Sequence, residues 1–422
     1  MTTTQVIAIL IFLLTMTMIM TERVHRMTAA LMGAVIMIIL GVMDVETSVR
    51  YIDADTIIIL VSMMIFVGVV KKSGLFEYIA IKAAKLSGGR PWVIMVSFML
   101  ITAFLSAFLD NVTTVLLVGP MTFAVTKALN LHPVPFIITE IMASNIGGTG
   151  TLIGDPPNIM IGSSAGLSFM DFILNVGPPV LMVLGMTILM FYLIYGRKFP
   201  KVAEDFHLLM EMNENSKILD RSLMIKSVVM IILLITAFSL QDVIGLSSSV
   251  IALSFAVVML LIGRQEIDRV IDQVEWPSIV FFIGLFIVVG GLQESGVIAL
   301  LADAIVGATA GRPVMTMIIV LWTSALLSSF LDNIPFVATM IPLILTMESM
   351  GIAVEPLWWA LSLGACLGGN GTLIGASANV VLSGIAARQG YHVRFKEYMK
   401  VGFPLMLMSV GLCTVYLLIR FG

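Results

Sequence analysis

Long apolar runs, interrupted at regular places by short polar strings, set the pattern of this chain. A helix needs about 20 apolar residues to cross the hydrocarbon of a bilayer. Runs of this kind predict spans near 4–20, 28–43 and 56–70, the third continuing as an amphipathic helix to about 86. The stretch 91–129 is apolar in both arms but broken at Leu109-Asp110-Asn111, which predicts a re-entrant hairpin that enters and leaves on one side. Pro133 and Pro135 then open a helix that stops at the glycines after Asn145. A second piece starts at Pro156-Pro157, so that 135–165 makes one discontinuous crossing, and a span at 177–195 follows. The later half repeats the plan, with spans near 224–240, 248–263 and 278–292, a hairpin over 313–349, a broken crossing over 356–387 and a last span at 402–420.

The repeat extends to single residues. Ser73-Gly74 matches Ser295-Gly296, Gly89-Arg90-Pro91 matches Gly311-Arg312-Pro313, and Asp110-Asn111 matches Asp332-Asn333, all 222 apart. Gly147-Gly-Thr-Gly-Thr-Leu-Ile-Gly-Asp-Pro-Pro-Asn158 matches Gly368-Gly-Asn-Gly-Thr-Leu-Ile-Gly-Ala-Ser-Ala-Asn379 at 221. So many aligned helix breakers mark a tandem duplication. The expected fold is an all-α polytopic membrane protein of ten transmembrane helices. It consists of two inverted five-helix repeats, 1–199 and 223–422, joined by a polar linker at 200–222.

Composition agrees with this picture. The chain of 422 residues is 59% hydrophobic and 12% charged, where a soluble domain carries about 25% charge. No basic patch offers a nucleic-acid surface. The two cysteines, Cys366 and Cys413, lie in apolar segments and give neither a disulfide framework nor a zinc site. The four histidines fall in loops without metal spacing, so neither metal nor cofactor is expected. An intramembrane enzyme would need a nucleophile–base pair or metal ligands within the spans, and the sequence offers neither. The N-terminal Met-Thr-Thr-Thr-Gln lacks a positive n-region, so the first run is expected to be a permanent helix.

Polar, helix-breaking sequence at membrane depth, in corresponding places of two halves, points to a transporter's binding site. Helix N-termini freed at a break favour an anion or an electron-rich oxygen, and freed C-terminal carbonyls favour a cation. The candidate solute-binding residues are Asn111, Asn145, Gly148, Thr149, Gly150, Thr151 and Asn158 in the first half. Those of the second half are Asn333, Asn370, Gly371, Thr372 and Asn379. Amides and hydroxyls offer both donors and acceptors, which suits a hydroxylated solute. The blander role for the same groups is to satisfy broken backbone and allow close packing. Four acids are candidates for carrying a coupling ion. Asp110 and Asp332 are related by the repeat, whereas Asp155 and Glu140 have only Ala376 and Leu361 as counterparts. Asp155 is also placed to cap the helix that starts at Pro156. No lysine or arginine is expected in the spans or at either break to neutralise these acids.

At Leu109-Asp110-Asn111 and Gly150-Thr-Leu-Ile-Gly-Asp-Pro-Pro-Asn158 the chain resembles the ion transporter superfamily, in the branch that holds the arsenite efflux protein ArsB and the P protein. The resemblance covers nearly the whole chain. It implies ten spans, inverted repeats, two hairpins, two interrupted helices and secondary transport coupled to protons or sodium. The leading expectation is extrusion of arsenite or antimonite in exchange for protons across the cell membrane. Sodium/proton exchange, as in the similar NhaD proteins, and anion transport stand beside it. The dicarboxylate carriers' Ser-Asn-Thr motif is absent from both breaks, which speaks against that class of anion. The resemblance admits a homodimer and, if arsenite is the solute, an ATPase subunit as partner.

Positive charge orients the chain. With five crossings per half, loops 21–27, 71–90, 127–134, 196–226, 264–276 and 388–400 share one side and hold 20 of the 23 lysines and arginines. Only Arg50, Arg312 and Arg420 fall on the other. The linker is therefore expected in the cytoplasm and both termini outside. Epitope tags at either terminus should be reached by antibody on intact cells, and labelling only after permeabilisation would overturn this orientation.

Overall fold

The computed structural model describes residues 1–21, 23–264, 266–309 and 312–422. Gly311, matched to Gly89 in the repeat, lies outside the described residues. Among the described residues the chain is helical throughout, with short turns between helices. Seven helices among the described residues are long and apolar enough to cross a membrane, including Thr3–Thr21, Ala54–Lys71 and Trp276–Glu294. Leucines such as Leu10, Leu13 and Leu14 point outward from the first helix, as lipid-facing side chains do.

The third span stops short of the continuous helix expected to 86. It ends at Lys71, and a separate helix, Leu75–Leu86, follows. Gly74 sits between them at φ +78, in the left-handed region. A Cβ there would also lie 1.8 Å from the carbonyl oxygen of Lys217. The turn and the close passage of the linker therefore both require glycine. The linker is fastened at this corner: Leu219 N donates to Ser73 O (3.1 Å), Ala203 N to Gly89 O (2.8 Å), and Lys85 pairs with Glu214 at 2.5 Å. The Lys85 hydrogen bond holds the Glu214 carboxyl below its usual range.

A helix–turn–helix pair forms at each place where a hairpin is expected. The first joins Pro91–Ser106 to Asn111–Ala128, and the second joins Pro313–Ser328 to Asn333–Ser349. Both breaks form too, between Val134–Thr149 and Pro156–Ala165, and between Glu355–Gly368 and Ser377–Arg388. The incoming hairpin arm of each half packs along that half's pre-break helix. Gly147 lies where a Cβ would meet Ala103 O at 2.1 Å, and Gly368 where one would meet Ala325 O at 2.6 Å. These two contacts are repeat mates, and in both only a hydrogen lets the backbones meet. The halves then interlock. The post-break helix Ser377–Arg388 packs on the first hairpin's outgoing arm, and Pro156–Ala165 packs on the second hairpin's. Around this central unit, Ala54–Lys71 packs on Ser248–Gly263, and Arg26–Ile39 on Trp276–Glu294, so the outer spans also join across the halves.

Inside the breaks, freed backbone groups find partners in side chains of the same string. Asn158 Nδ2 is shared among the carbonyls of Gly148 (3.3 Å), Thr149 (3.0 Å) and Thr151 (2.9 Å). Asn379 Nδ2 does the same for Gly369 (2.8 Å) and Thr372 (2.9 Å). Thr151 and Thr372 hydroxyls donate to the carbonyls of Ala107 and Ser329, tying each break to its own hairpin turn. All of these side chains are buried. A buried acceptor that loses its donor costs about 1–3 kcal/mol. Asn158→Ala and Asn379→Ala should therefore each lower the unfolding temperature of the purified protein by several degrees. An unchanged melting curve for both would show that the amides do not hold the breaks.

Candidate functional site

Four helices of the central unit begin at one point. The N-terminal ends of the helices starting at Asn111, Pro156, Asn333 and Ser377 line a common cavity of about 50 Å³. Each helix exceeds eight residues, and the positive end of its dipole lies at that space. The residue before each helix is Asp110, Asp155, Asp332 and Ala376 in turn. Three of four positive helix ends thus carry an acid, and the fourth carries the methyl group that replaces Asp155 in the repeat.

The three aspartates are in different surroundings. Asp110 caps its own helix, accepting from Thr113 N at 2.8 Å and from the Thr113 hydroxyl. Asp332 caps Ile334 N at 3.2 Å and pairs with Arg26 Nη1 at 3.4 Å. Asp155 makes no side-chain cap, despite preceding Pro156. It turns across the cavity, where Asn333 Nδ2 of the other half donates to its Oδ2 at 3.2 Å. The Cys366 thiol and Asn111 amide also face it, and it is 3% exposed. No lysine or arginine pairs with it among the described residues.

The expectation that no arginine reaches a break is corrected here. Arg26 starts the helix Arg26–Ile39 and projects into the site. Its Nη1 donates to Ser377 Oγ at 2.7 Å and to Asp332, its Nη2 donates to Ser278 Oγ at 3.0 Å, and its guanidinium lies 5.5 Å over the Phe281 ring. Ser377 Oγ donates to the same Asp332 oxygen at 3.1 Å. Glu275 accepts from Ser278 at 3.1 Å and also lines the cavity. Arg26, Asp332 and Ser377 further border a larger, mostly apolar cavity of about 610 Å³ beside the first helix. The turn from Thr21 to Arg26 is too short to carry Arg26 far from the spans on either side, and that shortness was the available signal. As a charge in a basic loop, Arg26 carried no other mark, and Ser278 and Glu275 carried none.

The remaining expected residues divide. Asn111 and Asn333 line the cavity. Asn145, Asn370 and Asn379 meet between the breaks: Asn145 Nδ2 donates to Asn370 Oδ1 and to Asn379 Oδ1, both at 2.9 Å. This buried cluster leaves Asn145 Oδ1 and Asn370 Nδ2 without partners among the described residues. Gly148 abuts the Asn111 amide and Gly371 the Ser329 hydroxyl, whereas Gly150 lies against Gly147 and Val180. Thr149, Thr151 and Thr372 use their hydroxyls on backbone carbonyls, and Asn158 and Asn379 clamp the breaks, which is the blander of the two roles. Glu140 is not brought to the cavity. It is buried against the Thr122 hydroxyl, between the first hairpin's outgoing arm and the pre-break helix.

The citrate transporter family profile, CitMHS, matches residues 16–364. An uncharacterized transporter of Mycobacterium bovis is 41% identical, over 99% of this chain and 98% of its own. The 46 kDa membrane protein of Mycobacterium leprae is 40% identical over 99% of both. The P protein of Homo sapiens is 34% identical over 95% of this chain, which spans 58% of that protein's length. In fold, the chain is similar to the YdaH transporter of Alcanivorax borkumensis, whose crystal structure was described as having an unusual topology. The TM-score is 0.61 over 88% of this chain and 86% of that one, at 15% identity. The family and the Mycobacterium bovis relative are described as transporters, not enzymes. With four helix ends and their acids gathered inside an apolar bundle, and that match over most of its length, this chain is a membrane transporter that belongs to the citrate transporter (CitMHS) family of the ion transporter superfamily.

Proposed function

We propose that the chain is a proton-coupled secondary transporter that extrudes arsenite or antimonite across the cytoplasmic membrane. The observation that carries the coupling is Asp155, a buried carboxylate with no cation, facing an amide of the opposite half in a cavity of about 50 Å³. Removing a lone carboxylate from water is unfavourable, and taking up a proton relieves the cost. Trivalent arsenic at neutral pH is a small uncharged trihydroxide, in keeping with a small cavity and with the unpaired amide atoms of Asn145 and Asn370. Ten crossings in two oppositely oriented repeats, 1–199 and 223–422, with the linker at 200–222 in the cytoplasm and both termini outside, complete the reading. The crossed packing of hairpins and post-break helices supports it, and so does the charge asymmetry of the loops. In this reading the interlocked hairpins and breaks move as one body against the outer spans, exposing Asp155 to each side in turn.

A second reading has its own support. Arg26 at the second break and the family's description as citrate transporters both favour a carboxylate solute. Sodium/proton exchange through the same cavity is the third outcome of one experiment. Proteoliposomes under an imposed pH gradient should move arsenite and antimonite, but not citrate. Citrate uptake would replace the first reading with the second, and sodium-driven proton flux without any metalloid would replace both. Asp155→Asn should lose at least about 100-fold in coupled flux, the scale for removing a positioned proton-transfer group, while eluting as folded protein. Unchanged coupled flux would remove Asp155 from the mechanism.

A further inference from the structure

Two acids of this site come near each other from opposite halves, and their counter-ions differ. Among the described residues, Asp332 has a cation in contact and Asp155 has none. Arg26 reaches Asp332 from a helix outside the central unit, and its guanidinium is held on every side: Ser377 and Asp332 on Nη1, Ser278 on Nη2, and the Phe281 ring beneath. The pair is only partly exposed, 28% for the Arg26 side chain and 17% for Asp332. The groups that face Asp155 are Asn333, Asn111, Cys366 and, at longer range, Asp332. The groups that face Asp332 are Arg26, Ser377 and Asp155, with His25 on the wall of the larger cavity. Asp110 and Glu275 complete the acids of the small cavity and are held by Thr113 and Ser278.

We propose that Arg26 is a fixed counter-ion that withdraws Asp332 from the coupling reaction, leaving Asp155 as the one acid of the pair that takes up and releases the transported proton. The inference rests on the proton-coupled reading above. A carboxylate bonded to a guanidinium already has its charge balanced, so binding a proton there would strand the cation. A buried carboxylate without one neutralises itself by binding a proton. The two acids are not repeat mates, since Asp332 corresponds to Asp110 and Asp155 to Ala376, and Arg26 bonds only Asp332 of the two. Arg26 acts here through Asp332, as a positioning residue.

The test is pH-difference infrared spectroscopy of the purified protein in lipid, which needs neither solute nor transport. The wild type should show a protonated-carboxyl band that titrates, is lost in Asp155→Asn and survives in Asp332→Asn. Arg26→Gln should gain a second titrating band, about equal in area to the first, that is lost when Asp332→Asn is added; Arg26→Lys should keep the wild-type pattern. A band in the wild type that depends on Asp332, or no added band in folded Arg26→Gln, would overturn the role of Arg26 and leave proton coupling standing. The wild-type comparison does not require that any Arg26 variant fold. If no titrating band depends on Asp155, the coupling reading itself fails, and this inference with it.

Discussion

Main-chain hydrogen bonding inside the bilayer is the constraint on which the rest of this structure depends. A helix that stops at membrane depth leaves up to four N–H and four C=O groups without partners, and no water is there to take them. The chain answers with one device used twice. Asn158 and Asn379 spread a single amide over the carbonyls of their own break, while Thr151 and Thr372 reach back to the hairpin turn. The carbonyl ends are thus satisfied internally. The N-terminal ends receive different treatment: they meet around a small cavity, and three of the four are preceded by an acid. The asymmetry between the two kinds of helix end produces the site, since only the ends left for side-chain charge to answer can respond to an ion.

Close packing follows from the same constraint. The breaks can be reached by the hairpin turns only if the backbones approach, and Gly147 and Gly368 permit contact with Ala103 and Ala325 that any side chain would prevent. The halves interlock through their post-break helices, so each half's break is walled by the other half's hairpin. A residue from one half therefore finds its partner in the other. Asn333 bonds Asp155, and Asn145 bonds Asn370 and Asn379. These contacts fix the distance between the two breaks, which a pair of independent halves would leave open.

Most of the architecture was legible in the sequence because lipid makes breakers conspicuous. A Gly-Thr string or an Asp-Asn pair inside an apolar run has few uses, and finding each twice, at offsets of 221 and 222, removed most of those. Helix limits came within a few residues of expectation at both hairpins and both breaks. The failures were local and share a cause. The helix end at Lys71 was missed because the left-handed turn at Gly74 is needed partly for the linker to pass, a tertiary reason. Arg26 was read as loop charge because hydropathy scores a residue by its neighbours in sequence, whereas its partners are Ser278, Asp332 and Ser377. Asp155 was a plausible cap by its place before proline, and only the fold shows its carboxylate turned away. Pattern places the breaks; which amide clamps and which acid remains available depends on the other half of the molecule.

Duplication by itself would yield a site of twofold character, with four helix ends and four equivalent caps. This chain departs from that symmetry twice. Ala376, beside Ser377, stands where the first half carries Asp155. Ser377 takes the guanidinium of Arg26, which comes from a helix outside the central unit and settles on Asp332. The missing acid and the added cation both lie at the second break, while among the described residues Asp155 faces Asn333 without a counter-ion. A coupling site needs such an inequality, because an acid already neutralised by the protein gains little from a proton, and one left unpaired gains most.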